Sequence, residues 1–480
     1  MAAVFLSLHK FNRMYIKQFY TNCLSEAAYY IESEGEAVII DPLRDIDTYI
    51  NFAKERNTVI KYIFETHFHA DFVSGHLDLS KTTGAPIVYG PGATTNFPVY
   101  QAKDGEVITL GKISFEVIHT PGHTLESTCY LLKDESQQPH SIYTGDTLFV
   151  GDVGRPDLSS GNMSSEDLAS LMYDTIQTKI LPLDDHIIVY PAHGPGSSCG
   201  KNLGPNTHST IGEQKKTNYA LQSQSREDFV KAVTTGLSAA PVYFPINAKI
   251  NQMGYDNIDE VLKRGSQKLS LEAFQKKINA DIIILDTRPA TVFTSGFIPG
   301  SISIGLEGRF AEWAGNVLPF DKPIVLITEN GKEEESVLRL SRVGFDKMEG
   351  CLSEGFDTWK NSGELVDLII DVEADELIMD IPHDPNVLVV DVRKENEFAE
   401  AHLEDAMNLP LHEMTDLAQV ANFEENQNIY IHCAGGYRSV IAASLLKAQG
   451  IHNIRNVLGG WSKIKEQEKA KIVKETTPVS

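Results

Sequence analysis

Two stretches of the chain repeat one another: IIILDTRPATVFTSGFIPGSISIGL at 282–306 lines up with VLVVDVRKENEFAEAHLEDAMNLPL at 387–411. Asp286 and Arg288 match Asp391 and Arg393, and Phe293 matches Phe398. The copies also end alike, with GFDKMEGCLSEGFDTW at 344–359 beside GIHNIRNVLGGW at 450–461. A repeat of this length confines the second half to two copies of one small unit. Each copy opens on a buried-strand run and continues through alternating strand and helix patterns. Each therefore reads as an α/β domain of about a hundred residues, with boundaries near 265 and 368.

The first half has a different grammar. Short β-rich runs, EAVIID at 36–41, VIKYIFET at 59–66, ISFEVIHT at 113–120, SIYTGD at 141–146 and IIVYPAH at 187–193, alternate with helical patterns. Polar, metal-capable residues sit just after several of these runs, so the strands deliver ligands at their C-terminal ends, as in a layered α/β domain. The expected division is 14–265, 266–367 and 368–480, an α/β multidomain chain. Residues 1–13 read as an extension or a misassigned start, because MYIKQFY from Met14 looks like the opening of a strand.

With a net charge of −24, the chain is a poor partner for nucleic acid or an anionic membrane surface. No apolar run approaches the roughly 18 residues of a membrane span. Five scattered cysteines, an odd number, suit free thiols in a reducing compartment, so a cytoplasmic protein is expected.

The segment ETHFHADFVSGH holds His67, His69, Asp71 and His76, and later loops add His123, Asp146 and His193. Two histidines one residue apart after a strand can face a single point at its end. Four such loops in order resemble the metallo-β-lactamase superfamily over about residues 14–250. That resemblance implies an αββα fold, followed here by the two α/β copies. One position departs from the pattern: Phe72 stands where dinuclear hydrolases of the family place a histidine, and a phenyl ring cannot coordinate metal. A two-zinc hydrolase is therefore disfavoured.

THFHAD, PGHT, TGDTLFVGDVGRPD and YPAH resemble the persulfide dioxygenase branch more narrowly. The resemblance implies one Fe(II) per chain held by His67, His123 and Asp146, with His69, Asp71 and His193 supporting from outside the coordination sphere. Two imidazoles and a carboxylate on one face leave positions open for a thiolate and O2; the ligand types also suit zinc. Arg155 and Asp157 brace a loop, or Arg155 positions an anionic substrate through its guanidinium fork. Cys199, in the Gly/Ser-rich loop GPGSSCGK, is either an inconsequential thiol or a sulfur relay.

In the second repeat, NIYIHCAGGYRSVIAASLLKAQG runs from a strand through a tight loop into a helix. Cys433 ends the strand. Gly435, Gly436, Tyr437 and Ser439 form an anion-binding cradle at the helix N-terminus, and Arg438 adds a positive charge that stabilises a thiolate. Four residues between Cys433 and Arg438 resemble a rhodanese loop, shorter than the C-x5-R loop of phosphatases. Cys433 is thus expected to carry a persulfide. The first copy has no cysteine there; Glu329, Asn330 and Gly331 occupy its loop and Glu333–Glu335 follow, so it reads as a pseudo-rhodanese. Cys351 aligns near Val457 and reads as packing.

The three-domain order resembles the multidomain sulfide-detoxifying dioxygenases of bacteria. It implies oxidation of a low-molecular-weight thiol persulfide by O2 to sulfite, with sulfur transfer giving or using thiosulfate, and leaves a homo-oligomer open. The rival expectations are a zinc-dependent thioester hydrolase resembling glyoxalase II and a non-catalytic persulfide carrier or sensor.

Overall fold

The computed structural model describes residues 14–158, 163–223, 225–416, 418, 423–424 and 426–474. The reading of residues 1–13 as an extension lies outside the described residues. The chain forms two compact units. One runs to Ile258 and includes Ser341–Gly344; the other holds Asp259–Leu340 and the chain from Phe345 onward.

In the first unit, β1 (Tyr15–Thr21), β2 (Glu26–Ser33), β3 (Glu36–Ile40), β4 (Val59–Phe64), β5 (Ile87–Tyr89) and β6 (Tyr100–Gln101) make one sheet in that order. A second sheet has the order β12-β11-β10-β9-β8-β7, from β7 (Val107–Leu110), β8 (Ile113–His119), β9 (Thr128–Lys133), β10 (Pro139–Gly145), β11 (Ile188–Pro191) and β12 (Ser209–Thr210). Each of the five β-rich runs is a strand.

Strand alternation builds the layers. On β2, Ala27, Tyr29 and Ile31 face a core shared with Phe115, Val117 and Tyr130 of the other sheet. Ala28 and Tyr30 face the opposite way, onto Ile46, Tyr49 and Ala53 of the helix Ile46–Glu55. On β9, Tyr130 and Leu132 join the core between the sheets, while Cys129 and Leu131 pack under Ala169 and Met172 of the helix Ser165–Thr175. Apolar residues on both faces of both sheets require a helical cover on each outer side, and the result is an αββα sandwich.

The second unit contains two five-stranded sheets of one topology. The first has the order β13-β17-β16-β14-β15, from β13 (Lys268–Leu269), β14 (Ile283–Asp286), β15 (Ile302–Ser303), β16 (Ile324–Ile327) and β17 (Met348–Leu352). The second has the order β18-β23-β22-β19-β21. Its strands are β18 (Ile370–Val372), β19 (Val387–Asp391), β21 (Met407–Asn408), β22 (Asn428–His432) and β23 (Ile454–Val457), while β20 (His402–Leu403) pairs separately with β24 (Ile472–Val473). Every pairing within the two five-stranded sheets is parallel.

The repeated Asp-x-Arg is a buried fork in both copies. Arg288 Nη2 lies 2.5 Å from Asp286 Oδ2 and donates to Gly296 O at 3.0 Å. Arg393 Nη2 lies 2.6 Å from Asp391 Oδ2 and donates to Ala401 O at 2.8 Å. Each guanidinium stacks on an aromatic ring, Phe356 at 4.2 Å and Trp461 at 4.5 Å.

Register refines two readings of the first copy. Asp286 pairs with Ile327 as Asp391 pairs with His432, so Thr328 stands where Cys433 does. Leu326 pairs with Cys351 as Ile431 pairs with Asn456, so Cys351 corresponds to Asn456, one residue from the sequence alignment. The register shift between β16 and β17 accounts for the offset. Cys351 is buried, and burial pushes its thiol up to about 12. The three glutamates form the first turn of the helix Glu333–Ser341, not a loop, where the helix dipole favours them. Lys332 and Lys268 pair with Glu335 and Glu333.

Candidate metal and sulfur-transfer sites

In the first unit, the ends of β4, β8, β10 and β11 carry His67, His123, Asp146 and His193 toward one point. His67 Nε2 lies 3.8 Å and His123 Nε2 3.5 Å from Asp146 Oδ2. The other oxygen, Oδ1, lies 3.5 Å from His193 Nε2, which is also 3.5 Å from Asp71 Oδ2. All five side chains are buried.

Backbone and hydroxyl acceptors fix the tautomers. His123 Nδ1 donates to Arg155 O at 2.8 Å, and His193 Nδ1 donates to Ser25 O at 3.1 Å. Thr66 Oγ1 gives its proton to Asp41 Oδ2, so it accepts from His67 Nδ1 at 2.9 Å. Each ring therefore turns an unprotonated Nε2 toward Asp146. Burial, reinforced by His69, His123 and His193, holds the His67 imidazole well below its usual pKa.

Both oxygens of Asp146, Nε2 of His193 and Oδ1 of Asp71 are buried without a hydrogen-bond partner. Buried polar atoms left without partners around one carboxylate are costly unless a cation lies among them. The donor set therefore fits a divalent metal, with His67, His123 and Asp146 as one group whose donor atoms lie within 4.8 Å of one another.

His69 belongs elsewhere. Its Nε2 is 3.1 Å from Asp41 Oδ1 and 3.5 Å from Glu65 Oε2, and Phe72 stacks on its ring at 4.3 Å. Burial opposes a charge there, but Asp41 and Glu65 outweigh it and raise the imidazole pKa well above the usual value. Its Nε2 is thus engaged by these two carboxylates and not by Asp146. Asp41 and Glu65 went unremarked as site residues in the sequence, although both stand at the ends of strand runs that were recognised.

Arg155 is a buttress. Its guanidinium, 2% exposed, forks onto Asp157 at 2.9 and 2.7 Å and donates to Ser238 O at 2.7 Å. The fork expected to hold an anionic substrate is thus engaged by Asp157. Its backbone works too: the carbonyl receives His123, and the N–H donates to Cys199 O at 3.0 Å. Cys199 is 1% exposed and lies within 4.8 Å of the Asp71 and His193 donor atoms. Burial together with Asp71 and Asp146 raises its thiol pKa well above the ordinary value. This setting does not suit a mobile loop that presents a persulfide.

In the second unit, Cys433 directly follows β22 and is 1% exposed. Gly436 N–H donates to Cys433 Sγ at 3.1 Å, and Gly436 caps the helix Tyr437–Ala448 at φ 106°, a conformation that favours glycine. Ser439 Oγ lies 3.7 Å from the sulfur and donates to Asn456 Oδ1 at 2.7 Å. Gly435, Gly436 and Tyr437 line a cleft of about 230 Å³ with Thr291, Thr294 and Gly305 of the first copy. Tyr437 Oη ties the two together by donating to Gly305 O at 2.7 Å.

The positive charge expected of Arg438 has an acidic partner. Arg438 forks onto Glu397 at 2.7 and 2.9 Å, so the pair carries no net charge. Backbone N–H groups and the helix end add to the local positive potential at Cys433.

The model of the metallo-beta-lactamase superfamily matches residues 21–193, and that of the rhodanese-like domain matches 270–362 and 373–467. The chain belongs to the metallo-β-lactamase superfamily, and that domain is followed by two rhodanese-like domains. Among its relatives is the hydroxyacylglutathione hydrolase of Francisella tularensis subsp. novicida strain U112. The two are 33% identical over 182 residues, 38% of this chain and 68% of that protein. A solved metallo-beta-lactamase from Staphylococcus aureus subsp. aureus COL is 35% identical, covering 71% of this chain and 99% of that one at a TM-score of 0.64. The crystal structure of ETHE1 from Myxococcus xanthus is 29% identical, covering 50% of this chain and 98% of that one at a TM-score of 0.43.

Proposed function

We propose that the chain is a persulfide dioxygenase with sulfurtransferase activity, divided into domains at 14–265, 266–367 and 368–480. The observation that carries this reading is the three-donor set of His67, His123 and Asp146, with His69 drawn onto Asp41 and Glu65 and Phe72 beside it. Two imidazoles and one carboxylate with an open side suit a single Fe(II). Bound there, iron would supply O2 activation.

The overall reaction converts RSS⁻, O2 and water to RS⁻, sulfite and two protons; the terminal sulfur is oxidised and O2 reduced. The chain's own part is orientation. Thr66 and Arg155 O aim the two imidazoles, and burial excludes bulk water from them. At the second site, the Cys433 thiolate attacks the outer sulfur of a thiol persulfide, breaking its S–S bond, releasing the thiolate RS⁻ and leaving Cys433 as a persulfide. Gly436 N–H stabilises the thiolate, and sulfite removes the outer sulfur as thiosulfate, returning the thiolate.

A second reading, zinc-dependent thioester hydrolysis, is favoured by the hydroxyacylglutathione hydrolase relative. O2 uptake by anaerobically purified, iron-loaded protein given a thiol persulfide separates the two. Persulfide-dependent uptake lost in His123→Ala supports the dioxygenase, and a shifted sulfite-to-thiosulfate ratio in Cys433→Ser supports the transfer step. Absence of uptake, with hydrolysis of a hydroxyacylglutathione by zinc-loaded protein, would replace the first reading with the second.

A further inference from the structure

A serine hydroxyl beside a strand-end cysteine can donate to its thiolate, but the one proton of Ser439 is committed elsewhere. Ser439 Oγ donates to Asn456 Oδ1 at 2.7 Å, and its second acceptor is Gly436 O at 3.1 Å. What it turns toward the sulfur is a lone pair, which takes the S–H of Cys433 at 3.7 Å.

The Asn456 amide is fixed in its turn. Asp371 of β18 pairs with Asn456 in register, and Asn456 Nδ2 donates to Asp371 Oδ1 at 2.7 Å. An ionised carboxylate only accepts, so the NH2 end of the amide points to Asp371 and the carbonyl end to Ser439. The other carboxylate oxygen receives Thr294 Oγ1 of the first copy at 2.7 Å. Every hydrogen bond from the sulfur onward therefore runs toward Asp371.

We propose that Asp371 and Asn456, anchored by Thr294, are positioning residues that turn the Ser439 hydroxyl away from Cys433 and so restrain formation of its thiolate. The inference rests on the sulfur-transfer reading only in taking Cys433 as the nucleophile. It gives the copy that lacks the cysteine a part in the chemistry of the other.

The duplication supplies an internal comparison. Lys268 pairs with Cys351 where Asp371 pairs with Asn456, so the copy with Thr328 has neither the carboxylate nor the amide at these positions. A pairing that the scaffold required would stand in both copies, as the Asp-x-Arg fork does. The first copy also braces the helix that carries Ser439. Ser303 N–H donates to Ser444 Oγ at 3.0 Å, and Tyr437 Oη donates to Gly305 O. With the helix held by these bonds, the Asp371 chain sets the partner of the hydroxyl rather than the place of the helix.

The test is the pH profile of Cys433 alkylation by iodoacetamide in full-length, reduced protein, followed at the Cys433 peptide by mass spectrometry. Only the thiolate reacts, so the rising limb reports its formation. Asn456→Leu removes the acceptor and frees the Ser439 hydroxyl, which prefers a charged acceptor to Gly436 O. The limb should move about one pH unit lower, roughly the tenfold gain in thiolate that one hydrogen bond to a charged group supplies. Asp371→Ala should move it the same way, and Thr294→Val by less. Adding Ser439→Ala to Asn456→Leu should remove most of the shift. The charged groups around the loop, the Arg438–Glu397 pair and the Asp391–Arg393 fork with His432 beside it, are the same in every variant, and circular dichroism checks folding. A limb unmoved in folded Asn456→Leu or Asp371→Ala, or a shift that survives Ser439→Ala, would overturn the proposal. The sulfur-transfer reading fails separately, if wild-type protein moves no sulfur from thiosulfate to cyanide, because alkylation needs neither.

Discussion

Gly154 sits between two parts of the metal site, the Asp146 loop and the residue that holds His123. Its N–H donates to Asp146 O at 2.9 Å, and it directly precedes Arg155, whose carbonyl holds His123. A Cβ at this position would lie 2.1 Å from Asp146 O, 2.9 Å from His123 Nδ1 and 3.0 Å from its Cγ. The first distance is more than 1 Å inside ordinary contact, and the obstacle is backbone, so a rotamer change cannot relieve it. Gly154→Ala must therefore move the Asp146 loop, tilt the His123 ring, or do both. Forcing a methyl into packed surroundings costs about 1–3 kcal/mol. Displacing the acceptor that aims a ligand histidine costs about 10–100-fold in metal affinity, or about 1.4–2.7 kcal/mol. Competition against a chromophoric chelator measures the affinity, and chemical denaturation of metal-free protein measures the packing cost. Wild-type metal affinity in Gly154→Ala, with unchanged stability, would refute the claim that this close approach sets the His123 ring.

Asp157→Ala should destabilise the protein by about 3 kcal/mol, because it strands a buried guanidinium whose other recorded partners are main-chain carbonyls; chemical denaturation checks this. Burial opposes a charge on half-buried Glu397, but Arg438 overcomes that and holds its carboxyl below the ordinary glutamate value of about 4.5. A depressed folded pKa contributes stability above the unfolded value and loses it as pH falls from about 4.5 through the folded pKa. Glu397→Gln should therefore flatten the acid side of the stability–pH profile there and change it little above pH 6, as thermal melts across pH would show. Removing bound metal by chelation should lower stability by about 4 kcal/mol if the metal had been held at 1,000 times its Kd, read as a drop in Tm that metal restores.

Much of the architecture was legible because it rests on local pattern. Five β-rich runs became β3, β4, β8, β10 and β11, and the repeat became two sheets of identical strand order. Ligand candidates were visible for the same reason: a strand end followed by glycine or proline is a place where a side chain can be aimed. What escaped the sequence was pairing at long range. His69 is diverted by Asp41, 28 positions earlier, Arg438 is neutralised by Glu397, 41 positions earlier, and Cys199 reaches Asp71 across 128 positions. None of these partners is announced by spacing, since each depends on which strand ends the sheets place side by side. Arg155 shows the converse: its short link to Asp157 was foreseen, while its contacts with His123 and Cys199 were not.

The two Asp-x-Arg forks are what both copies keep although they differ at the position of Cys433. In both copies the arginine closes on its aspartate, lies over an aromatic ring and grips a carbonyl eight residues downstream, at Gly296 and at Ala401. Only one copy has a cysteine there; the other has Thr328 at that position. The fork is therefore a keystone of the scaffold, indifferent to catalysis. Silent descendants of such domains are best recognised by an Asp-x-Arg after a hydrophobic strand, with its downstream carbonyl and aromatic lid, because a search keyed to the cysteine discards them at the first step.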